Sequence, residues 1–456
     1  MKSFFVLIFM ALASFIGYAR ADTWTQIACN STAQCPEDTP CCSQYGMCGT
    51  GSYCLGGCDP RYSYNLTACM PQPRMSSFTE SFSDSSVVLK QTEYLGNASD
   101  TDWVYTGYID SYDDALLLQM PNGSTGTVVS STKYLWYGKV GATIKSSRDR
   151  GVIAAFITFS DVQDEIDFEF LGYNLTFPQN NYYSKGILNY SNTGDFEVSN
   201  TFENWHYYEM DWQEDKIIWS VDGKEVRTLE RDLTWNSTTD RYDFPSTPSR
   251  VQFSLWPGGS TLNGLGTIEW AGGEINWDSQ DIQEYGYYYA YVKNVSVETY
   301  DLPSFIDLKT TNSSKYHAFL YNSTDGDETN VYLTTKKTWL GSSDATGLDP
   351  DNEDEDTTET SAVVMLSGSS TYTSTSVKTK ATSAQDPSKN TKGASTSSSS
   401  EAYSGGFVQN SKATSSSSPS STSSSSSGAR SQNHNGLVSA VIAACAVAGG
   451  IFFTGL

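Results

Sequence analysis

Asp164-Glu165-Ile166-Asp167-Phe168-Glu169-Phe170 places four carboxylates within seven residues. Glu165, Asp167 and Glu169 alternate with Ile166, Phe168 and Phe170. Side chains on a β-strand point to opposite faces with a period of two. The spacing predicts a strand with three acids on one face and three apolar residues on the other. Like charges crowded on one face repel, so at least one of these carboxyls should hold its proton unusually well. A solvated acidic strand face is the plainer reading of such a run. The chemistry that would justify the crowding is cleavage of a glycosidic bond with retention, which uses two carboxyls about 5–5.5 Å apart. One attacks the anomeric carbon; the other protonates the leaving oxygen and then deprotonates the incoming hydroxyl. Glu165 and Glu169 stand four strand steps apart, roughly 13 Å between Cα atoms. Side chains leaning inward on a curved sheet are needed to close that gap. Asp167 lies between them, where it can hydrogen-bond the attacking group and hold the two pKa values apart.

The elements that must position this strand are themselves β. Between about Met75 and Pro303, short apolar or alternating runs recur at Thr143-Ile144, 152–158, 217–221, 251–256 and 287–297. Turn residues punctuate them, as in Asp222-Gly223, Pro257-Gly258-Gly259 and Ala271-Gly272-Gly273. No long helical periodicity appears. This pattern predicts an all-β, antiparallel sandwich of many strands, large enough to bury a full core. Trp205, Trp212, Trp219 and Trp277 read as core, and a lone His206 as structural. With 3 His in the chain, no metal site is suggested. There is no Ser-His-Asp order, phosphate loop or nucleotide signature, so no cofactor is expected.

Strand patterning fades after Asp301, and 304–348 reads as a less ordered extension. Residues 349–430 are acidic and then Ser/Thr-rich, with nothing to bury; they read as a disordered, O-glycosylated stalk. Residues 431–456 are mostly apolar. They follow small residues at Ser427, Gly428 and Ala429, which suggests a removable lipid-anchor signal with Gly428 as attachment residue. A transmembrane helix is the alternative, disfavoured by the lack of any basic residue after it. At the other end, Lys2, the apolar run Phe4 to Ile16 and Ala19-Arg20-Ala21 read as a secretory signal over 1–21. Asn-x-Ser/Thr sequons, among them Asn30, Asn97, Asn174, Asn236 and Asn294, fit that route. The net charge of −24 argues against a nucleic-acid partner and suits a neutral polysaccharide.

Cysteine usage marks a separate module over 22–70. Cys29, Cys35, Cys41, Cys42, Cys48, Cys54, Cys58 and Cys69 cluster there, and the ninth, Cys445, lies in the apolar tail. An even set in a short secreted segment means a disulfide-stapled unit, since so small a segment cannot hold itself with a core. A zinc site is disfavoured, because no His is interspersed. Spacing alone leaves the pairing open. Cys41-Cys42-Ser43-Gln44-Tyr45-Gly46-Met47-Cys48-Gly49 with Tyr53-Cys54 resembles the hevein-like chitin-binding module. The resemblance implies the pairs Cys29–Cys42, Cys35–Cys48, Cys41–Cys54 and Cys58–Cys69. It also implies that Ser43, Tyr45 and Tyr53 contact N-acetylglucosamine. Met47 stands where that family usually has an aromatic, and a thioether offers no π-face to a sugar.

The acidic strand, read as DEIDFEFLG over 164–172, resembles the E-x-D-x-E signature of glycoside hydrolase family sixteen. The segments 250–259 (RVQFSLWPGG) and 267–273 (TIEWAGG) extend the likeness to the fungal Crh cell-wall transglycosylases. The resemblance implies a concanavalin A-like jelly-roll sandwich over 75–303. It implies Glu165 as nucleophile, Asp167 as helper, and Glu169 as acid/base and substrate contact. Trp256 would stack a donor sugar, with Arg250 and Thr267 contacting it nearby. Arg250 stands where some relatives are expected to have Lys. The implied activity is transfer of a chitin donor chain to a β-1,6- or β-1,3-glucan acceptor at the cell wall, by a protein held there through a GPI anchor. A hydrolase of chitin or β-glucan, and a non-catalytic chitin-binding lectin, are the alternatives.

Overall fold

The computed structural model describes residues 26–306 and 317–352. The expected signal peptide, the stalk beyond residue 352 and Gly428 lie outside the described residues.

Two eight-stranded sheets pack face to face. The first runs Lys224–Glu230, Lys216–Val221, His206–Trp212, Gly138–Lys145, Tyr287–Thr299, Ala115–Pro121 and Tyr108–Tyr112, with Phe78–Glu80 also paired to Tyr287–Thr299. The second runs Gly194–Asp195, Gln179–Tyr183, Glu165–Leu171, Ile153–Ser160, Ser249–Trp256, Thr127–Ser131, Trp103–Thr106 and Val88–Lys90. Its pairs are antiparallel except the last, which is parallel. The apolar runs read from the sequence fall within these strands, save Val152 just before Ile153–Ser160, because alternating or wholly apolar segments bury best between two sheets.

The core is built from aromatics between the sheets. Phe156 stacks on Phe168 and on Phe253, with ring centroids 6.3 and 5.0 Å apart. Phe196 and Tyr208 meet Phe168 edge-on. Trp212 and Trp219 are buried in this core, as expected. Trp205 is only half-buried and lies beneath the ammonium groups of Lys145 and Lys293. Trp277 is half-buried at the core's margin. His206 is buried and bonded to Ser199 and Asp222, a structural role.

The Cys-rich module carries four disulfides: Cys29–Cys42, Cys35–Cys48, Cys41–Cys54 and Cys58–Cys69. These are the pairs that the hevein-like resemblance implies.

The segment after the sandwich departs from the expectation of a less ordered extension. Ala318–Tyr321 and Val331–Thr334 form a hairpin that pairs with Gln72–Pro73, the link between module and sandwich. Phe319 is 1% exposed and meets Trp136 edge-on at 5.4 Å. Arg231 pairs with Glu328, whose carboxylate also accepts from Tyr137. Farther on, the chain crosses the module: Gly51 N–H donates to Ala345 O and Gly347 N–H to Ala68 O. The alternation in these strands is too short to read, and their partner strand lies about 250 residues earlier in sequence. Phe319→Ala should cost about 3–5 kcal/mol. Thermal unfolding would check this, and a loss below about 1 kcal/mol would mean that the extension only drapes over the core.

Candidate active site

The strand Glu165–Leu171 begins directly after a tight turn. Ser160 N–H donates to Asp164 O and Asp164 N–H to Ser160 Oγ, both at 2.9 Å. The turn fixes the register of Ile153–Ser160 against Glu165–Leu171, so Phe159, Ile157 and Ala155 stand opposite Glu165, Asp167 and Glu169. Ile166, Phe168 and Phe170 enter the core. The three acids share the far face, turned away from it, as alternation predicts. There Ala155, Ile157 and Phe159 form their own small apolar cluster beside the carboxyls.

Asp164 has a different task. Its carboxylate accepts from the backbone N–H groups of Lys185, Ser246 and Thr247 and from the Thr247 hydroxyl. It ties two loops, at Lys185 and at Ser246-Thr247, to the start of the strand. The acid run therefore divides into one structural carboxylate and three that face outward. Trp219 adds a further anchor, its indole N–H donating to Asp167 O at 3.0 Å from the core side.

The three outward carboxyls differ in burial. Asp167 is fully buried and Glu169 is 4% exposed, whereas Glu165 is half-buried. Among the described residues no side chain hydrogen-bonds the Asp167 carboxylate, which meets the backbone of Asn181 instead. The expected bond from Asp167 to the attacking carboxylate is thus not formed in this arrangement. Burial, then the charges of Glu169 and Glu165, pushes the Asp167 carboxyl well above the usual range. Burial and then Glu169 push Glu165 up as well. Carboxyls this strongly coupled share protons. The proton is held best where burial is deepest, on Asp167. A neutral Asp167 can act as a hydrogen-bond donor to a neighbouring carboxylate.

Other elements border this row. Glu169 stands opposite Gln179, Asp167 opposite Asn181 and Glu165 opposite Tyr183. Asn181 and Gln179 thereby join the far face, a placement that emerges only once the pairing is known. The helix Leu265–Trp270 covers one end: Trp270 stacks on Trp256 at 6.0 Å, and its indole N–H donates to Gln179 Oε1 at 2.8 Å. Trp256 is 5% exposed and Thr267, on the same helix, is 3% exposed. Arg250 lies at the opposite end of the strand Ser249–Trp256. It too is buried, and its guanidinium donates to Gln44 of the Cys-rich module at 2.6 Å. Arg250 therefore faces the module, while Trp256 and Thr267 pack at the helix end. Ser43, Tyr45 and Tyr53 are each half-buried on the module. Among the described residues, the one cluster with metal-ligand spacing, Cys29, Cys35 and Cys42, consists of disulfide sulfurs.

A buried carboxyl held neutral by the fold makes stability depend on pH. Asp167 binds its proton more tightly folded than unfolded. Its contribution is fully present below the unfolded pKa and is lost as pH rises through the raised folded value. Asp167→Asn should therefore raise the melting temperature near pH 8 by a few degrees, about 2–4 °C per kcal/mol. The gain should shrink toward pH 4. Melting curves across pH check this, and a gain that grows on acidification would contradict a neutral Asp167.

The Glycosyl hydrolases family 16 model matches residues 97–272, which include the acidic strand. The chain is 59% identical over 415 residues to the Crh-like protein UTR2 of Candida albicans, spanning 87% of this chain and 88% of that one. It is 46% identical to Congo red hypersensitive protein 2 of Saccharomyces cerevisiae, over 76% and 73% of the two chains. A solved structure of apo Crh5 transglycosylase aligns at 26% identity over 61% of this chain and 100% of that one, with a TM-score of 0.48. With its acidic strand inside a family 16 glycosyl hydrolase domain, the chain belongs to the Crh-like proteins.

Proposed function

We propose that this protein is an extracellular, wall-associated transglycosylase that cleaves chitin and passes the released chain to β-1,6- or β-1,3-glucan. The observation that carries the reading is the row Glu165, Asp167 and Glu169 on one strand face, with the most buried member between the other two. The Crh-like relatives lend support to the choice of reaction.

In this reading Glu165 attacks the anomeric carbon while Glu169 gives its proton to the leaving glycosidic oxygen. A glycosyl ester on Glu165 results. Glu169, now ionised, takes the proton from an acceptor hydroxyl, and that oxygen displaces Glu165 with a second inversion, so configuration is retained overall. Asp167, kept neutral, can donate to Glu165 as the ester breaks and negative charge returns to it. Arg250, Trp256 and Thr267 frame the donor, and Ser43, Tyr45 and Tyr53 give the module its affinity for N-acetylglucosamine. Attachment at Gly428 would hold the folded part at the wall or outer membrane face.

Incubation with chitin and a labelled laminari-oligosaccharide tests the reaction. Label should become linked to chitin, and release of chitin fragments with no linked label would leave only a hydrolase. Glu169→Gln should slow turnover by about 10²–10⁴-fold, the usual worth of a positioned acid/base. Glu165→Gln should abolish formation of the covalent intermediate, read by mass spectrometry. Equal glycan turnover in Glu165→Gln and wild type would remove the catalytic assignment and favour a lectin.

A further inference from the structure

The Cys-rich module sits on the catalytic face itself. Cys41, Cys54, Leu55 and Cys58 share one buried apolar cluster with Tyr94 and Val104 of the sandwich. Gln44 is 7% exposed, and its Oε1 accepts from Arg250 Nη2 at 2.6 Å and from Gln252 Nε2 at 3.0 Å. The Tyr45 hydroxyl is bonded to Gln44 and to Thr106 of the sandwich. Gly57 comes so close that a Cβ there would lie 2.9 Å from Arg250 Nη2, and its φ of +87° also favours glycine. Its N–H donates to Asp161 at 2.9 Å. These contacts fix the module's angle as well as its position.

Register shows how near this seam lies to the chemistry. Gln252 pairs with Ile157, and Ile157 pairs with Asp167. The module's edge is thus two strands from the carboxyl row, roughly 10 Å at ordinary strand spacing. Ser43 and Tyr45 flank Gln44 in sequence, so the residues expected to hold N-acetylglucosamine stand at that same edge. A module serving as an independent tether would need no contact of this kind.

We propose that the edge Ser43–Tyr45 extends the catalytic track, held in place by Gln44 as a positioning residue, so that module and carboxylate strand grip one β-linked N-acetylglucosamine chain. The identity of that chain rests on the function proposed above; the geometry of a fused site does not.

Binding to the inactive Glu165→Gln protein tests this without turnover. Calorimetric titration with chitotriose and with longer chito-oligosaccharides should show one long chain per protein and an affinity that rises with length. Added to that background, Gln44→Met keeps the side-chain volume and removes the acceptor. It should weaken the long chain about tenfold more than chitotriose, because two linked sites then act less as one. Gln44→Glu keeps an acceptor oxygen and should recover most of that difference. Two chains bound per protein, no gain with length, no binding, or equal weakening at both lengths would each overturn the proposal. If Gln44→Met fails to fold, stoichiometry and length dependence in the Glu165→Gln protein still decide. Absent transfer by the wild-type protein would sink the function proposed above and leave this result standing.

Discussion

Glu165, Asp167 and Glu169 repel one another along a single strand, and the sandwich has to hold that strand straight against them. It does so from behind. Phe168 is clamped among Phe156, Phe196 and Tyr208. Trp219 bonds the backbone at Asp167, and Asp164 ties the start of the strand to two loops. Each contact lies off the reacting face, so the strand is held from behind while its three acids stay on the other side. Desolvation then does what partners would undo. A salt bridge to Asp167 would lower its pKa and remove the neutral carboxyl on which the site depends. The lack of a side-chain hydrogen bond to its carboxylate, which meets only the backbone of Asn181 among the described residues, is thus a property of the site and not a fault in packing.

The same face also bears the Cys-rich module. Its outer strands, Trp103–Thr106 and Val88–Lys90, present Val104 and Leu89 to the module's cysteine core. The sandwich therefore spends one face in two ways, with the polar strands left for chemistry and the apolar ones used for docking. The helix end at Trp256 and the module end at Arg250 bound the carboxyl row from opposite sides.

Much of this was legible in the residues. Alternation in 164–170 placed the acids on one face and the aromatics in the core, because period-two patterning leaves few other arrangements. Strands rich in Val, Ile and aromatics were equally plain. Four things were not. Asp164 looks like its neighbours in sequence, and only the loops that meet it reveal a structural carboxylate. Arg250 gives no hint in sequence that it also meets Gln44, 206 residues away. The extension at 318–334 hides because its strands are four residues long and pair with a two-residue strand near the N-terminus. Non-local pairing of that kind leaves no periodic trace. Residues such as Asn181 and Gln179 reach the site through register alone, which composition does not encode.

The three-stranded sheet joining Gln72–Pro73 to Ala318–Tyr321 also sets an order of events during synthesis. The module's disulfides close loops of 11–13 residues, so it can oxidise and become compact as soon as it emerges. Its seat needs strands from much later in the chain, and its strap at Ala345 and Gly347 comes later still. Closing so long a loop is entropically costly and slow. The first unit to fold is thus among the last to be placed, and the finished catalytic face exists only once the far end of the folded region has been made.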